Sequence, residues 1–286
     1  MKQPLKGGLV MLSEMKENLP PSEKKIAAFI LDHPHEAIHC TAAQLGELSG
    51  TSGAAVMRLC KSLDLKGLQE LKLRISGDLQ KEVASTYRDI QPGEEMDAIV
   101  DKVTNNNMQA IRETTELVDF DGLEKAGEAV VKAGRLHFFG VGASGIIAQD
   151  AQQKFLRMNI ATSAFTDVHN AVMDIANIKE TDVLVGISFS GETRETALVM
   201  EEAKRRGAVT ISITRYGSNT VASFADIPLY ISASREIPAP FRSGATSSRM
   251  AQLHMIDLLF TKVVTSHFEE ASGYFEQIQD IMTRLK

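Results

Sequence analysis

Cysteine is scarce in this chain, and long hydrophobic runs are absent. The two cysteines, Cys40 and Cys60, form no Cys-x-x-Cys pair, which argues against a disulfide framework. No apolar stretch approaches the roughly 20 residues that a membrane helix needs, and the N-terminal segment is too weakly hydrophobic for a signal peptide. Low-complexity segments and internal repeats are also missing. We therefore expect a cytoplasmic protein that does not bind membranes.

A general excess of basic residues is missing as well. The formal net charge of the 286 residues is −6. Residues 1–80 carry 10 Lys and Arg against 9 Asp and Glu, whereas residues 81–286 carry 21 against 28. The less acidic N-terminal part is compatible with a nucleic-acid-binding face, but charge alone does not indicate one.

Hydrophobic periodicity divides the chain into two parts of different character. Residues 1–79 show short segments of helical spacing, and residues 80–95 lack periodicity and contain a Pro-Gly turn signal. From about residue 122, candidate strands and helices alternate, which implies βαβ crossovers and a parallel sheet covered on both faces. We predict an all-α domain at 1–79, a linker at 80–95, and a doubly wound α/β domain at 96–286. Its five predicted strands span 136–139, 162–165, 183–187, 209–213 and 227–231.

The all-α part has the layout of a helix-turn-helix. Residues 41–48 and 53–63 follow helical spacing, Gly50 supplies the turn between them, and Ser52 is a good N-cap for the second helix. Small residues let the start of a recognition helix approach base edges, and cations reach guanine or phosphate. The residues expected to contact DNA are Thr51, Ser52, Ala55, Met57, Arg58 and Lys61. A small helical bundle with a solvated basic face would show the same spacing.

Two loops in the α/β part are predicted to bind an anion. Gly140-Val141-Gly142-Ala143-Ser144-Gly145 and Ser188-Phe189-Ser190-Gly191-Glu192-Thr193 each lie between a predicted strand and a predicted helix. Unpaired N–H groups and the helix dipole favour an anion at such a place. Hydroxyls add hydrogen-bond donors without adding charge, and Gly191 lets the backbone approach a ligand closely. Two hydroxyl-rich loops at one edge of a sheet suit a sugar phosphate.

The first loop also fits the Gly-x-Gly-x-x-Gly pattern of dinucleotide-binding folds, with Asp167 near the position of the acidic ribose ligand. A nicotinamide- or flavin-binding domain is therefore an alternative. Two features count against it. Ser144 places a hydroxyl where a dinucleotide loop does not need one, and the second hydroxyl-rich loop adds an anion site that a dinucleotide fold does not require.

These motifs together resemble those of a known family. Gly140–Ser144 and Ser188–Thr193 are similar to the two signature loops of the SIS (sugar isomerase) domain. Ser52–Gly67 is similar to the helix-turn-helix of the RpiR/MurR family of bacterial transcriptional regulators. Ser247-Ser248-Arg249 with Asp257 resembles that family's closing segment. The resemblance covers nearly the whole chain in the family's domain order.

The resemblance implies a role for each matching residue of the two loops. Ser188, Ser190 and Thr193 would hold the phosphate with Gly191, and Ser144 would contact the sugar hydroxyls. The helix-turn-helix departs from the family at Ala55, usually Thr, which affects operator preference. It departs again at Asp64, where the family usually has Gly. We expect Asp64 to adopt a left-handed backbone conformation, which Asp tolerates.

The chain is therefore predicted to be a sensor rather than an enzyme. Isomerases and lyases of the SIS type need a positioned Glu or His next to a carbonyl, and Glu192, Glu195 and His169 do not stand out as such a base. We expect no catalytic residue, no metal site and no cofactor. The predicted partners are a double-stranded DNA operator, a sugar phosphate and a second copy of the chain, in a homodimer or homotetramer. N-acetylmuramic acid 6-phosphate is the favoured effector, and a sugar-phosphate isomerase or lyase is the alternative function.

Overall fold

We describe the protein from a computed structural model, over residues 6–79, 90, 92–232 and 246–284. Contacts divide the chain into two compact units. The first comprises Met1–Leu117 with Ser232–Pro238, and the second comprises Val118–Ile231 with Ala239–Lys286. Most of the predicted linker at 80–95 lies outside the described residues. Within those residues, no helix combines the length and the apolar character needed to cross a membrane.

The first unit is helical, as the sequence predicts. Its helices are α1 (Gly8–Met15), α2 (Pro21–Asp32), α3 (Pro34–Ala37), α4 (Ala42–Leu48), α5 (Gly53–Ser62), α6 (Leu68–Leu79) and α7 (Met96–Leu117), with a 3-10 turn at Lys16–Asn18. α7 lies within the predicted C-terminal domain at 96–286, whereas contacts group it with the N-terminal unit. The functional division into domains stays a prediction.

Local capping explains where the helix-turn-helix begins and turns. Thr41 accepts the N–H of Gln44 through its hydroxyl, and the Gln44 side chain accepts the N–H of Thr41 in return, which satisfies two N–H groups at the start of α4. The Ser52 hydroxyl accepts the N–H of Ala55 at the start of α5. Asp64 follows α5 with a φ of 55°, which confirms the expected left-handed conformation.

The second unit contains the predicted five-stranded parallel sheet. Its strands are β1 (Leu136–Gly140), β2 (Thr162–Phe165), β3 (Val183–Ile187), β4 (Val209–Arg215) and β5 (Ile227–Ile231). They are arranged in the order β2-β1-β3-β4-β5, and every neighbouring pair is parallel. β4 continues two residues beyond the predicted end, because Thr214 and Arg215 still pair with β5.

Helices cover both faces of this sheet. They are α8 (Phe120–Lys132), α9 (Ala143–Leu156), α10 (Val168–Ile175), α11 (Arg194–Arg205), α12 (Thr220–Ser223) and α13 (Thr246–Ser266). The last helix, α14 (Phe268–Arg284), packs against α13. Adjacent residues of β1 point to opposite layers: Phe138 stacks on Phe155 of α9, whereas Phe139 packs in a cluster with Ile175 of α10 and Val199 of α11. The core is therefore built on both sides of the sheet, as in a doubly wound fold.

Candidate functional site

The two hydroxyl-rich loops leave the sheet side by side at its carboxyl edge. Gly140, the last residue of β1, pairs with Ile187, the last residue of β3. The chain turns from β1 towards β2 and from β3 towards β4, so the strand order changes direction between the two loops. A Cβ on Gly140 would lie 2.7 Å from the carbonyl oxygen of Ser144, so the first loop needs glycine there. Such a crevice is where open α/β sheets bind ligands.

Internal hydrogen bonds hold the second loop in one conformation. The Ser188 side chain is buried, and its hydroxyl lies 2.8 Å from the hydroxyl of Thr193 and accepts the N–H of Gly191. The Ser190 hydroxyl accepts the N–H of Glu192 at 3.1 Å. Two serines and one threonine therefore lie in the short turn before α11, and their hydroxyls are already held close together.

Asn219 braces this loop from the start of α12, and the sequence analysis missed it. Its amide donates to the hydroxyl of Thr214 and to the carbonyl of Gly217, which fixes the side chain in place. A Cβ on Gly191, whose φ is 71°, would lie 2.2 Å from the Asn219 side chain. Only glycine fits this position. No local sequence signal links Asn219 to a loop that lies about 28 residues earlier, although an Asn before a short helix is a typical N-cap.

Gln252 of α13 is a second residue that the sequence analysis missed. It is 1 % exposed, and its amide donates to the hydroxyl of Ser144 at 2.9 Å. Ser247 and Ser248 on the same helix are also buried. A signal was present in the sequence, since Ser248 and Gln252 are one helical turn apart in a segment otherwise rich in apolar residues.

The candidate acids and bases near the loops are already engaged or exposed. The Glu192 carboxylate accepts hydrogen bonds from the N–H and the hydroxyl of Thr220, so it ties the loop to α12. Glu195 and His169 are exposed, on the first turns of α11 and α10. Asp167, the acidic residue of the dinucleotide alternative, accepts the N–H of Asn170 as the N-cap of α10.

A hydrogen-bonded pair of side chains lies at the opposite, amino edge of the sheet. His137, the second residue of β1, contacts the carboxylate of Asp174 through Nδ1, and the Ser163 hydroxyl donates to the same carboxylate at 3.0 Å. Burial raises the pKa of Asp174, but hydrogen bonds from His137 and Ser163, together with the charges of His137 and Arg135, outweigh burial and hold that pKa below its ordinary value. This pair fastens α10 to the sheet.

The predicted DNA-contacting residues lie on or beside α5, with one correction. Ser52, Met57, Arg58 and Lys61 are exposed, and Thr51 is half-buried with its hydroxyl 3.0 Å from that of Ser49. The prediction that Ala55 is exposed was wrong, since its side chain is 1 % exposed. α5 packs against both α2 and α4, so its buried face is wider than a single stripe at helical spacing.

Glu23 of α2 is the residue of this surface that the sequence analysis missed. Its side chain is 5 % exposed and lies 3.8 Å from Nε of Arg58, whose own side chain is 58 % exposed. The Ser62 hydroxyl donates to the other Glu23 oxygen at 2.7 Å. A buried carboxylate thus forms an ion pair with the Nε edge of the Arg58 guanidinium. A signal was present in the sequence, because Glu23 is a charged residue at a position of the apolar helical stripe that also contains Ile26, Ala27 and Ile30. A charge on a buried stripe indicates a specific partner.

Comparison with known proteins agrees with both parts of this description. Residues 6–82 match the model of a helix-turn-helix domain of the rpiR family, and residues 129–262 match that of the SIS domain. The chain is 47 % identical over 271 residues to the "Uncharacterized HTH-type transcriptional regulator YbbH" of Bacillus subtilis, covering 95 % of each chain. It is 30 % identical to the HTH-type transcriptional regulator HexR of Pseudomonas aeruginosa, covering 96 % of this chain and 95 % of HexR.

A solved structure shows the same fold over nearly the whole chain. The Vibrio vulnificus NanR protein superposes with a TM-score of 0.61 at 23 % identity, covering 98 % of this chain and 99 % of NanR. The family models, the relatives and the fold therefore agree with one another. The chain belongs to the RpiR family of helix-turn-helix transcriptional regulators that carry a SIS domain.

Proposed function

We propose that the SIS domain binds a phosphorylated sugar and that this ligand controls binding of the helix-turn-helix to an operator. The observation that carries the proposal is the loop Ser188–Thr193, whose hydroxyls are held together by internal hydrogen bonds at the carboxyl edge of the sheet. Helix starts with clustered hydroxyl and N–H donors favour phosphate. In this proposal the ligand acts by binding two states of a dimer with different affinity.

Each loop takes one part of the ligand in this proposal. Ser188, Ser190, Gly191 and Thr193 bind the phosphate, and Ser144 binds a sugar hydroxyl. The buried amide of Gln252 supports the second role, because it donates to Ser144 and leaves the Ser144 proton to be donated elsewhere. The interaction is made by neutral donors, so desolvation of a second charge does not oppose it.

We favour an amino-sugar phosphate as the effector, with N-acetylmuramic acid 6-phosphate as the first candidate. The NanR structure of the same fold is a complex with ManNAc-6P, which supports this class of ligand. The genes controlled would then be those of carbohydrate or cell-wall sugar catabolism. We further propose that the regulator acts in the cytoplasm as a homodimer or homotetramer, which would place two recognition helices on the two half-sites of an operator.

A sensor explains the described residues better than a SIS-type isomerase or lyase does. Proton transfer beside a carbonyl needs a free, positioned base, whereas the Glu192 carboxylate is hydrogen-bonded to Thr220. The relatives YbbH and HexR are named as transcriptional regulators, which supports the same choice. Dinucleotide binding is the weaker alternative, because Asp167 is engaged as a helix cap.

A thermal-shift screen tests the proposal on the full-length protein. The probes are N-acetylmuramic acid 6-phosphate, N-acetylmannosamine 6-phosphate, glucose 6-phosphate, inorganic phosphate and NAD. A ligand at about 100 times its Kd stabilises the folded state by about 2.7 kcal/mol, so a sugar phosphate should raise the unfolding temperature without being consumed. Steady conversion of the sugar phosphate would favour an enzyme, and a shift with NAD alone would favour the dinucleotide alternative.

Loop variants locate the binding site. The double variant Ser188→Ala, Ser190→Ala should lose the thermal shift and the effector response while still binding DNA. Ser266→Ala, which removes an exposed hydroxyl on α13 that donates to a backbone carbonyl, should keep both. An unchanged response of the double variant would contradict the proposed phosphate site.

A further inference from the structure

An open cleft of about 470 Å³ lies beside the recognition helix, between α2 and the turn that precedes α5. Ser22 and Lys25 line it from α2, and Thr51, Ser52 and Arg58 line it from the turn and from α5. The cleft is large enough for a phosphate group and several waters, given about 30 Å³ for each water. Its α2 wall is not part of the helix-turn-helix motif.

The charges around this cleft favour an anion. Lys25 is exposed, and its side chain forms no ion pair or hydrogen bond within the part of the chain that the structure describes. Its neighbour Lys24, in contrast, is paired with Glu17. Glu23 is the acidic side chain beneath the cleft, and it is buried and shared between Arg58 and Ser62. Two cations, one engaged carboxylate and several hydroxyls leave the opening net positive.

We propose that this cleft binds a phosphate of the DNA backbone, with Lys25 and Ser22 as its ligands from α2. The proposal rests on DNA binding by the helix-turn-helix and extends that interface to a third helix. When a recognition helix enters the major groove, the elements beside its start face the sugar–phosphate backbone. Half to two-thirds of protein–DNA hydrogen bonds go to that backbone and fix the orientation of the protein.

The position of Glu23 distinguishes the two cations of the cleft, Arg58 and Lys25. The Glu23 carboxylate lies 3.8 Å from Nε of Arg58, close enough for an ion pair but not for a hydrogen bond. The two terminal nitrogens, which are the pair that contacts guanine in a bidentate manner, are therefore left to bind a base. Lys25 has no carboxylate partner among the described residues, and a flexible ammonium suits a phosphate that is recognised as a point charge. Base recognition and backbone contact are therefore assigned to different side chains.

A salt titration of the full-length protein tests this assignment, with a random-sequence DNA duplex of about 30 base pairs as the probe. Each phosphate contact with duplex DNA contributes about 0.9 to the slope of log K against log salt. Lys25→Gln should reduce that slope by about one and weaken binding about five- to tenfold near 0.1 M salt. Lys25→Arg should restore the slope. Ser22→Ala should weaken binding several-fold with the slope unchanged.

Lys24→Gln is the matched control, since it removes the same charge one residue away from a side chain already paired with Glu17. The proposal is overturned if the Lys25→Gln and Lys24→Gln proteins have equal slopes while the wild-type protein binds the duplex. Failure of the wild-type protein to bind any duplex would instead contradict DNA binding itself. Equal thermal unfolding temperatures of the wild-type, Lys25→Gln and Lys24→Gln proteins show that the comparison is between folded proteins.

Discussion

The two candidate sites of this protein are both suited to phosphate, but they are built in opposite ways. The loop Ser188–Thr193 of the SIS domain, called the SIS loop below, uses neutral donors. Ser188 is buried, and its hydroxyl is already hydrogen-bonded to Thr193 and to the N–H of Gly191. The DNA-facing surface uses exposed cations, and Arg58 remains 58 % exposed with a single carboxylate beside it. One site depends on backbone geometry, and the other depends on charge.

This difference predicts how each site fails. A site of fixed neutral donors loses its function when the backbone shifts, and salt has little effect on it because screening acts on charges. A site of exposed cations tolerates small backbone changes but weakens steeply with ionic strength. We therefore expect the largest effect from a backbone substitution in the SIS loop, and smaller effects from removal of single charges.

Gly191→Ala should have the largest effect. The φ of 71° disfavours a side chain, and the new Cβ would lie 2.2 Å from Asn219, which is itself held by Thr214 and Gly217. Strain and overpacking together should lower the free energy of unfolding by about 2–4 kcal/mol. Denaturant unfolding measures this loss, and the thermal shift with sugar phosphate should disappear.

Gly273→Ala is the matched control in the same unit. Gly273 lies inside α14, and nothing approaches the position of its Cβ within 4 Å. Alanine in a helix interior should therefore raise stability by about 0.5–1 kcal/mol. If both variants were equally stable, the loop would not be the rigid element described above.

Arg58→Ala should have the next largest effect, and on DNA binding alone. Loss of a bidentate base contact should cost about 1–3 kcal/mol for a preferred duplex and relax the sequence preference. Arg58→Lys should keep the salt dependence but lose the preference, because Lys lacks the planar fork. Binding is measured on a duplex enriched from a randomised pool and on its scrambled version.

Arg205→Ala provides the charge control for Arg58, since Arg205 is an exposed cation of the second unit, paired with Glu202. It should leave both duplexes bound as in the wild-type protein. An equal loss of affinity for the two duplexes in Arg58→Ala would mean that Arg58 contacts the backbone rather than a base.

Local features of the sequence were sufficient to predict the five strands and the two helices of the helix-turn-helix. The buried strands β1 and β3 are mainly apolar runs, and the helix-turn-helix begins at capping residues such as Thr41 and Ser52, so each of these elements depends on neighbours in the chain. The residues that were missed depend on distant partners. Gln252 reaches Ser144 across 108 positions, and Glu23 reaches Ser62 across 39. Such contacts exist only after packing, and so does the burial of Ala55 between neighbouring helices.

The smallest expected effects are on pH dependence, where the two units should again differ. In the second unit, His137 and Arg135 hold the pKa of Asp174 below its ordinary value. Its contribution to stability is thus present at neutral pH and is lost as the pH falls below about 4. In the first unit, burial raises the pKa of Asp78 to about 6, and the nearby charge of Glu116 adds to this effect.

The change of stability with pH has the opposite sign for Asp78. Its carboxylate accepts the N–H groups of Gly7 and Leu9, but burial outweighs these hydrogen bonds, so the folded state binds a proton more tightly than the unfolded state does. Stability of the first unit should therefore fall by about 1–2 kcal/mol as the pH rises from about 4 to 6. Hydrogen exchange of peptides from α1 and α6, corrected for intrinsic rates, measures this change.

Asp78→Asn should abolish the pH dependence even though it also lowers overall stability, because an amide cannot accept both N–H groups. A dependence that persists in Asp78→Asn would assign the titration to another group, whereas peptides from α10 should become less protected only below about pH 4.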